Sequence, residues 1–124
     1  MEKLTAKEEE IMQALWTLDK AFVKDILVEL PGKPHYNTVS TLIRKMQDKG
    51  FVGHEAFGKT HRYYPIIPRE QYRNRSLSRT LSTYFNSSPK NMVSFFAKEQ
   101  KISAADLREI LEMMESDPNT DFDA

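Results

Sequence analysis

The run YNTVSTLIRKMQDKG (residues 36–50), followed directly by FVGHEAFGKTHRYYPI (residues 51–66), decides the fold, because the hydrophobic period changes between the two. In the first half Val39, Leu42, Ile43 and Met46 recur at helical steps, and Lys49-Gly50 supplies a basic last turn and a glycine stop. In the second half aromatic and β-branched residues crowd Phe51 to Ala56 and Thr60 to Ile66, with Phe57-Gly58-Lys59 between them. That pattern predicts a β-hairpin with glycine in its turn. Pro65 falls near the end of the second strand, where an edge tolerates a residue that has no N–H to donate.

Upstream, Thr5-Ala6-Lys7-Glu8 spells a capping box, in which threonine and glutamate satisfy each other's backbone donors at a helix start. Ile11, Met12, Leu15 and Trp16 carry that helix to about Leu18, and Leu18-Asp19-Lys20 reads as a turn. Val23, Ile26, Leu27 and Leu30 predict a short second helix that Pro31-Gly32 ends, and Lys33-Pro34-His35 is a tight connection. The order helix, helix, helix, strand, turn, strand is that of a winged helix-turn-helix, with the hairpin as the wing.

Downstream, Pro68 suits a first helical turn. Leu77, Leu81, Tyr84 and Phe85 form one apolar stripe, and Asn86-Ser87-Ser88-Pro89 breaks it. Met92, Val93, Phe95 and Phe96 form a second stripe. Ser103 with Asp106 caps a last helix that carries Leu107, Ile110, Leu111 and Met114. The acidic, polar tail from Ser116 is expected to fray. The fold class is therefore mainly α: a winged helix-turn-helix DNA-binding domain over residues 1–67, then a helical domain over 68–124. About 57 residues bury too little surface for a stable core of their own. These stripes must pack on the winged helix or on a second copy of themselves. The second choice is favoured and predicts a homodimer through Leu77, Leu81, Tyr84, Phe85, Val93, Phe96, Leu107, Ile110, Leu111 and Met114.

The charge distribution narrows the function. Eighteen basic residues balance eighteen acidic ones, yet residues 33–79 hold ten basic and three acidic side chains, together with all three histidines. Local positive potential governs affinity for nucleic acid, because each neutralised phosphate releases counterions. The third helix turns Asn37, Thr41, Arg44 and Asp48 away from its apolar stripe, flanked by Thr38, Ser40 and Lys45. Short polar groups near a helix N-terminus suit base edges in a major groove: asparagine pairs with adenine, threonine meets the thymine methyl, and arginine takes guanine or phosphate. Arg44 and Lys45 stand further along, better placed for phosphates, and Tyr36 packs back or meets the backbone. The wing tip adds Lys59, Thr60 and Arg62, which suit a neighbouring phosphate or the minor groove. Arg69, Arg73 and Arg75 extend the basic surface.

Other chemistries find little support. Gly58-Lys59-Thr60 echoes the end of a phosphate-binding loop, but the upstream glycine is missing and the segment sits in a hairpin. His54-Glu55 begins like a zinc-protease motif, yet Gly58 stands where the second histidine belongs. His54 and His61 face each other across the hairpin, and two histidines do not complete a metal site. No catalytic pattern, metal or cofactor is expected. With no cysteine there is neither a disulfide nor a thiolate zinc site. A charged N-terminus without a signal peptide, and no apolar run long enough to span a bilayer, predict a cytoplasmic chain that does not insert into membrane. The rival from another class is a winged-helix protein-interaction module that uses the same polar face without sequence-specific DNA binding.

Several of these stretches resemble the penicillinase-repressor family (BlaI/MecI type, related to CopY). They are Leu4-Thr5 with Glu9-Glu10-Ile11-Met12 and Leu15-Trp16; Tyr36 through Lys45 with Lys49-Gly50-Phe51; and Gly58-Lys59-Thr60-His61-Arg62-Tyr63-Tyr64-Pro65. The likeness extends over nearly the whole chain and is weaker after Arg79. It implies a transcriptional repressor that binds an inverted-repeat double-stranded DNA operator as a homodimer and takes part in antibiotic-resistance regulation. It also implies that Asn37, Thr38, Ser40 and Thr41 lie in the major groove. Relief comes, by the same resemblance, when a membrane sensor metalloprotease triggers a cut in the dimerisation domain. The matching bond is Phe95–Phe96, with Phe95 where the best-known members carry asparagine. The copper-responsive branch uses a C-terminal cysteine pair, which this chain lacks.

Overall fold

Thr5 and Glu8 close the capping box that the sequence spells. Glu8 N–H donates to Thr5 Oγ1 at 3.2 Å, and Thr5 N–H donates to Glu8 Oε1 at 2.9 Å. Helix α1 (Ala6–Leu18) therefore starts with two orphan donors satisfied. In this computed structural model, which describes residues 3–116, strand β1 (Ala21–Phe22) and the helices α2 (Val23–Glu29) and α3 (Tyr36–Asp48) follow. Next come the strands β2 (Val52–Phe57) and β3 (Thr60–Pro65), then helices α4 (Arg69–Tyr84), α5 (Pro89–Lys98) and α6 (Ala104–Ser116). The chain divides into two units, residues 1–74 and 75–124.

In the first unit the predicted stripes meet. Ile11, Met12 and Leu15 of α1, Ile26 of α2, and Val39, Ile43 and Met46 of α3 are fully buried with Phe51 and Val52. Removing such a side chain from water stabilises by about 1.5–3 kcal/mol, so these positions fix the angle at which α3 is held. Tyr72, in the first turns of α4, completes the core. Its ring lies 5.7 Å from Trp16 and 6.1 Å from Phe51. Trp16 Nε1 donates to the Ile67 carbonyl at 2.9 Å, which satisfies the one polar atom of that indole.

The sheet order is β1-β3-β2, all antiparallel. β1 was not legible in the sequence: it has two residues and no period to read, and pairs Ala21 with Tyr63 and Phe22 with Arg62. It anchors the middle of the wing to the segment that opens α2. The hairpin loop is Gly58-Lys59, with Gly58 at φ 61°, as a two-residue turn that starts in the left-handed region requires. Phe57, expected in the turn, ends β2 instead. Gly53 is needed for space, because a Cβ there would lie 2.6 Å from the Tyr64 hydroxyl.

The described part of the second unit holds the rest of α4, then α5 and α6, joined by short turns. Ser88 caps α5 by accepting from Asn91 N–H at 3.1 Å. Ser103 and Asp106 form a reciprocal cap ahead of α6, at 3.0 and 3.2 Å. Phe95 packs on Phe85 and Phe96, with ring centroids 5.6 and 5.7 Å away. No side chain of α5 or α6 is buried. Tyr84 is 76% exposed, Leu111 52% and Met114 53%. The acidic tail expected to fray lies, from residue 117, outside the described residues.

Candidate nucleic-acid interface

Helix α3 has two faces because its stripe is complete. Val39, Ile43 and Met46 point into the core, leaving Tyr36, Asn37, Thr38, Thr41, Arg44 and Lys45 exposed and Ser40 half-buried. No acidic residue stands in its first turn, so the partial positive charge of the helix N-terminus is uncompensated. The outward residues divide into two sets. Asn37, Thr38 and Thr41 border a shallow depression with Leu42. Tyr36, Ser40 and Arg44 face the wing across a groove of about 180 Å³, whose other wall includes Lys59, Thr60, His61 and Tyr63. The helix and the wing tip thus open onto one side of the first unit.

The wing also has two faces. Side chains of paired residues share a face and alternate along each strand. His54 pairs with Tyr63, and Glu55 with Arg62. The α3 side carries His54, His61 and Tyr63. His54 Nδ1 donates to Gln47 Oε1 of α3 at 2.9 Å, and the His54 and His61 rings stack 4.1 Å apart. Burial pushes the Tyr63 phenol up from its ordinary value, with the Arg44 charge opposing. Arg62 lies on the other side. Its Nη2 donates to Glu55 Oε2 at 3.1 Å, and its guanidinium sits 4.7 Å from the Phe57 ring centre. Lys20 joins the same carboxylate at 3.0 Å. Hydrogen bonds from Lys20 and Arg62 hold the Glu55 carboxyl below its ordinary value.

Two cations counted in the basic middle are therefore already paired: Arg62, and Lys49, whose ammonium reaches Glu8 at 2.9 and 3.2 Å. The Glu8 pair joins residues 41 positions apart, and no local pattern announces it. Lys45 and Lys59 have no partner among the described residues, and Arg44 donates only its Nε, to the Ser40 carbonyl at 3.2 Å. Thr60 Oγ1 donates to the Phe57 carbonyl at 2.8 Å and so closes the hairpin loop.

The predicted dimer residues Leu77, Tyr84, Val93, Phe96, Ile110, Leu111 and Met114 are exposed, and Leu81, Phe85 and Leu107 are half-buried. The Phe95–Phe96 bond lies inside α5, both side chains exposed. Among the described residues no cluster of three histidine, cysteine or acidic groups could hold a metal. No helix among them is long and apolar enough to cross a membrane.

Comparison with known proteins agrees with the motif resemblance. The chain is 21% identical over 119 residues to the penicillinase repressor of Bacillus licheniformis, covering 94% of this chain and 93% of that one. It is 19% identical over 110 residues to the methicillin resistance regulatory protein MecI of Staphylococcus aureus, covering 87% and 89%. A solved structure of the CopR repressor is 25% identical, covers 53% of this chain and 99% of its own, and gives a TM-score of 0.45. These relatives carry the names of regulators, not of enzymes, in line with a sequence that offers no catalytic pattern. The penicillinase repressor pattern matches residues 4–116, and the chain belongs to that family.

Proposed function

We propose that the chain is a transcriptional repressor whose homodimer sets two α3 helices against an inverted-repeat DNA operator. One observation carries the reading: Tyr36, Ser40 and Arg44 of α3 and the tip of the wing border a single groove that Arg44 and Lys59 line and no carboxylate lines. In this reading Asn37, Thr38 and Thr41, with Ser40 towards the wing, read base edges. Arg44, Lys45 and Lys59 position the protein on phosphates. Arg62 contributes by stiffening the wing through Glu55, and Tyr36 flanks the backbone.

The second unit supplies the twofold. Apolar side chains that no intramolecular neighbour covers are what a helical dimer surface requires. Relief is carried over from the family resemblance. A cut at Phe95–Phe96, triggered by a membrane sensor metalloprotease, detaches α6 with Leu107, Ile110 and Leu111. The dimer then loses their buried area at roughly 25 cal/mol per Å². A weakened dimer forfeits the gain from tethering two readers.

The test is the salt dependence of binding to DNA from upstream of the chain's own gene. Affinity should fall steeply with salt, in proportion to the phosphates neutralised. An affinity for that DNA that ignores salt contradicts the reading and favours a protein-interaction module.

A further inference from the structure

Resting on the DNA-binding reading, we propose that Glu55 is a positioning residue for the wing: by gathering Lys20 and Arg62 behind the hairpin, it holds the Gly58-Lys59 loop where Lys59 meets the duplex that α3 reads.

The tip of the wing extends past its third strand. β1 pairs with β3 at Tyr63 and Arg62, whereas β2 and β3 run on together to Phe57 and Thr60. From Ala56 to His61 the hairpin therefore has no ladder to β1. A two-stranded ribbon is marginal on its own in water, so side chains must fix the tip sideways. On the α3 side Gln47 holds His54, and His61 stacks on that ring. On the opposite side the contacts form one chain. Lys20, in the turn before β1, donates to Glu55 Oε1 at 3.0 Å, and Arg62 Nη2 donates to Glu55 Oε2 at 3.1 Å. The Arg62 guanidinium lies 4.7 Å from the Phe57 ring centre, and the Phe57 ring meets Phe22 edge-on at 5.7 Å. Phe57 directly precedes the loop that carries Lys59. One oxygen of Glu55 thus binds the body of the first unit and the other binds the wing.

Arg62 is held against its own preference for water. Its Nε is buried without a hydrogen-bond partner among the described residues. An unpaired buried donor is unfavourable, so Glu55 and Phe57 are what keep the guanidinium there. The side chains of Lys20 and Glu55 are 47% and 41% exposed, and an exposed ion pair contributes little to stability. What the cluster supplies is placement. Charge alone argues the other way: a carboxylate on a DNA-binding wing repels phosphate, and its removal should tighten binding. A positioning carboxylate predicts weaker binding, so the sign of the change separates the two.

Affinity and salt slope on a labelled duplex from upstream of the chain's own gene read that sign. Glu55→Ala should bind about threefold to tenfold more weakly than wild type, with a shallower salt slope, although it gains net positive charge. Its urea midpoint should stay close to that of wild type. Glu70→Gln, which removes the same charge from an exposed position of α4, should not weaken binding. Lys59→Ala should cost less in the Glu55→Ala background than in wild type, because both variants lose the same contact. Lys20→Met, outside the hairpin, should reproduce part of the loss and add little to Glu55→Ala. Binding by Glu55→Ala as tight as wild type or tighter, a steeper slope, losses that simply add with Lys59→Ala, or a weakening that comes only with a lowered urea midpoint would overturn the proposal and leave the DNA-binding reading standing. A wild-type chain that binds no duplex at any salt overturns that reading, and this proposal with it.

Discussion

Replacing Lys49 by methionine keeps most of the side-chain volume and strands one carboxylate. Glu8 is 1% exposed, and its carboxylate receives Thr5 N–H and the Lys49 ammonium. Breaking a buried pair by removing one partner costs about 3–5 kcal/mol. Two features reduce that figure here. The Thr5 donor stays, and the Lys49 side chain is 22% exposed, so water reaches the vacated position. The expected loss is about 2 kcal/mol at neutral pH, roughly 10 °C in midpoint for a unit of this size. Burial pushes the Glu8 carboxyl up, but hydrogen bonds from Thr5 and Lys49 outweigh it and hold the folded group below its ordinary value of 4.5. A group held low in the folded state stabilises fully above its unfolded value, and that stabilisation fades as pH falls through the folded one. The methionine variant lacks this contribution. Its deficit should therefore be largest near neutrality and shrink as pH falls below the ordinary carboxylate value of 4.5 and through the lower one of the folded group, where wild type loses the same charge. Glu8→Gln combined with Lys49→Met should recover part of the loss, because no charge is stranded. Urea melts of the full chain at fixed protein concentration, run across this pH range, read all three quantities. A neutral-pH loss under about 0.5 kcal/mol, the scale of a surface ion pair, would refute the reasoning, as would a deficit that does not change with pH.

Three further outcomes follow from the interface. Asn37→Ala and Thr41→Ala should each cost about 1–3 kcal/mol in discrimination at one base position, measured by competition between operator variants. Lys59→Ala should weaken binding to all duplexes alike and lower the salt slope by about one, whereas Arg62→Ala should change the slope less, since its charge is paired with Glu55. Leu111→Asp, at a half-exposed position of α6, should shift the sedimentation profile from dimer to monomer and leave the melting of the first unit unchanged.

The helices and the hairpin were legible because each has a local cause. Thr5 with Glu8 and Ser103 with Asp106 are caps within three residues of their partners, and the stripe of α3 is periodic. What escaped the sequence is non-local or too short to have a period. β1 has two residues. The Lys49–Glu8 pair spans 41 positions, and Lys20 reaches Glu55 across 35. The site was legible as a polar face, since the outward side of a helix follows from its apolar side. Its division between Asn37, Thr38 and Thr41 on one depression and Tyr36, Ser40 and Arg44 on the wing groove was not, because that depends on where the hairpin lies. The strand alternation that sends Arg62 away from α3 and His61 towards it could have been read from the hairpin register, had the two-residue turn been placed at Gly58-Lys59. Of the basic middle, Lys49 and Arg62 serve the fold, and the cations left for a partner lie closer to Arg44, Lys45 and Lys59.

The most direct measurement is a guanine-methylation interference and hydroxyl-radical footprint of the purified chain on DNA from upstream of its own gene. Two α3 helices related by a twofold should protect two symmetric half-sites a whole number of helical turns apart, about 34–36 Å each, with interference at major-groove guanines inside them. Protection of one isolated site, interference confined to the minor groove, or no preference among sequences would contradict the account.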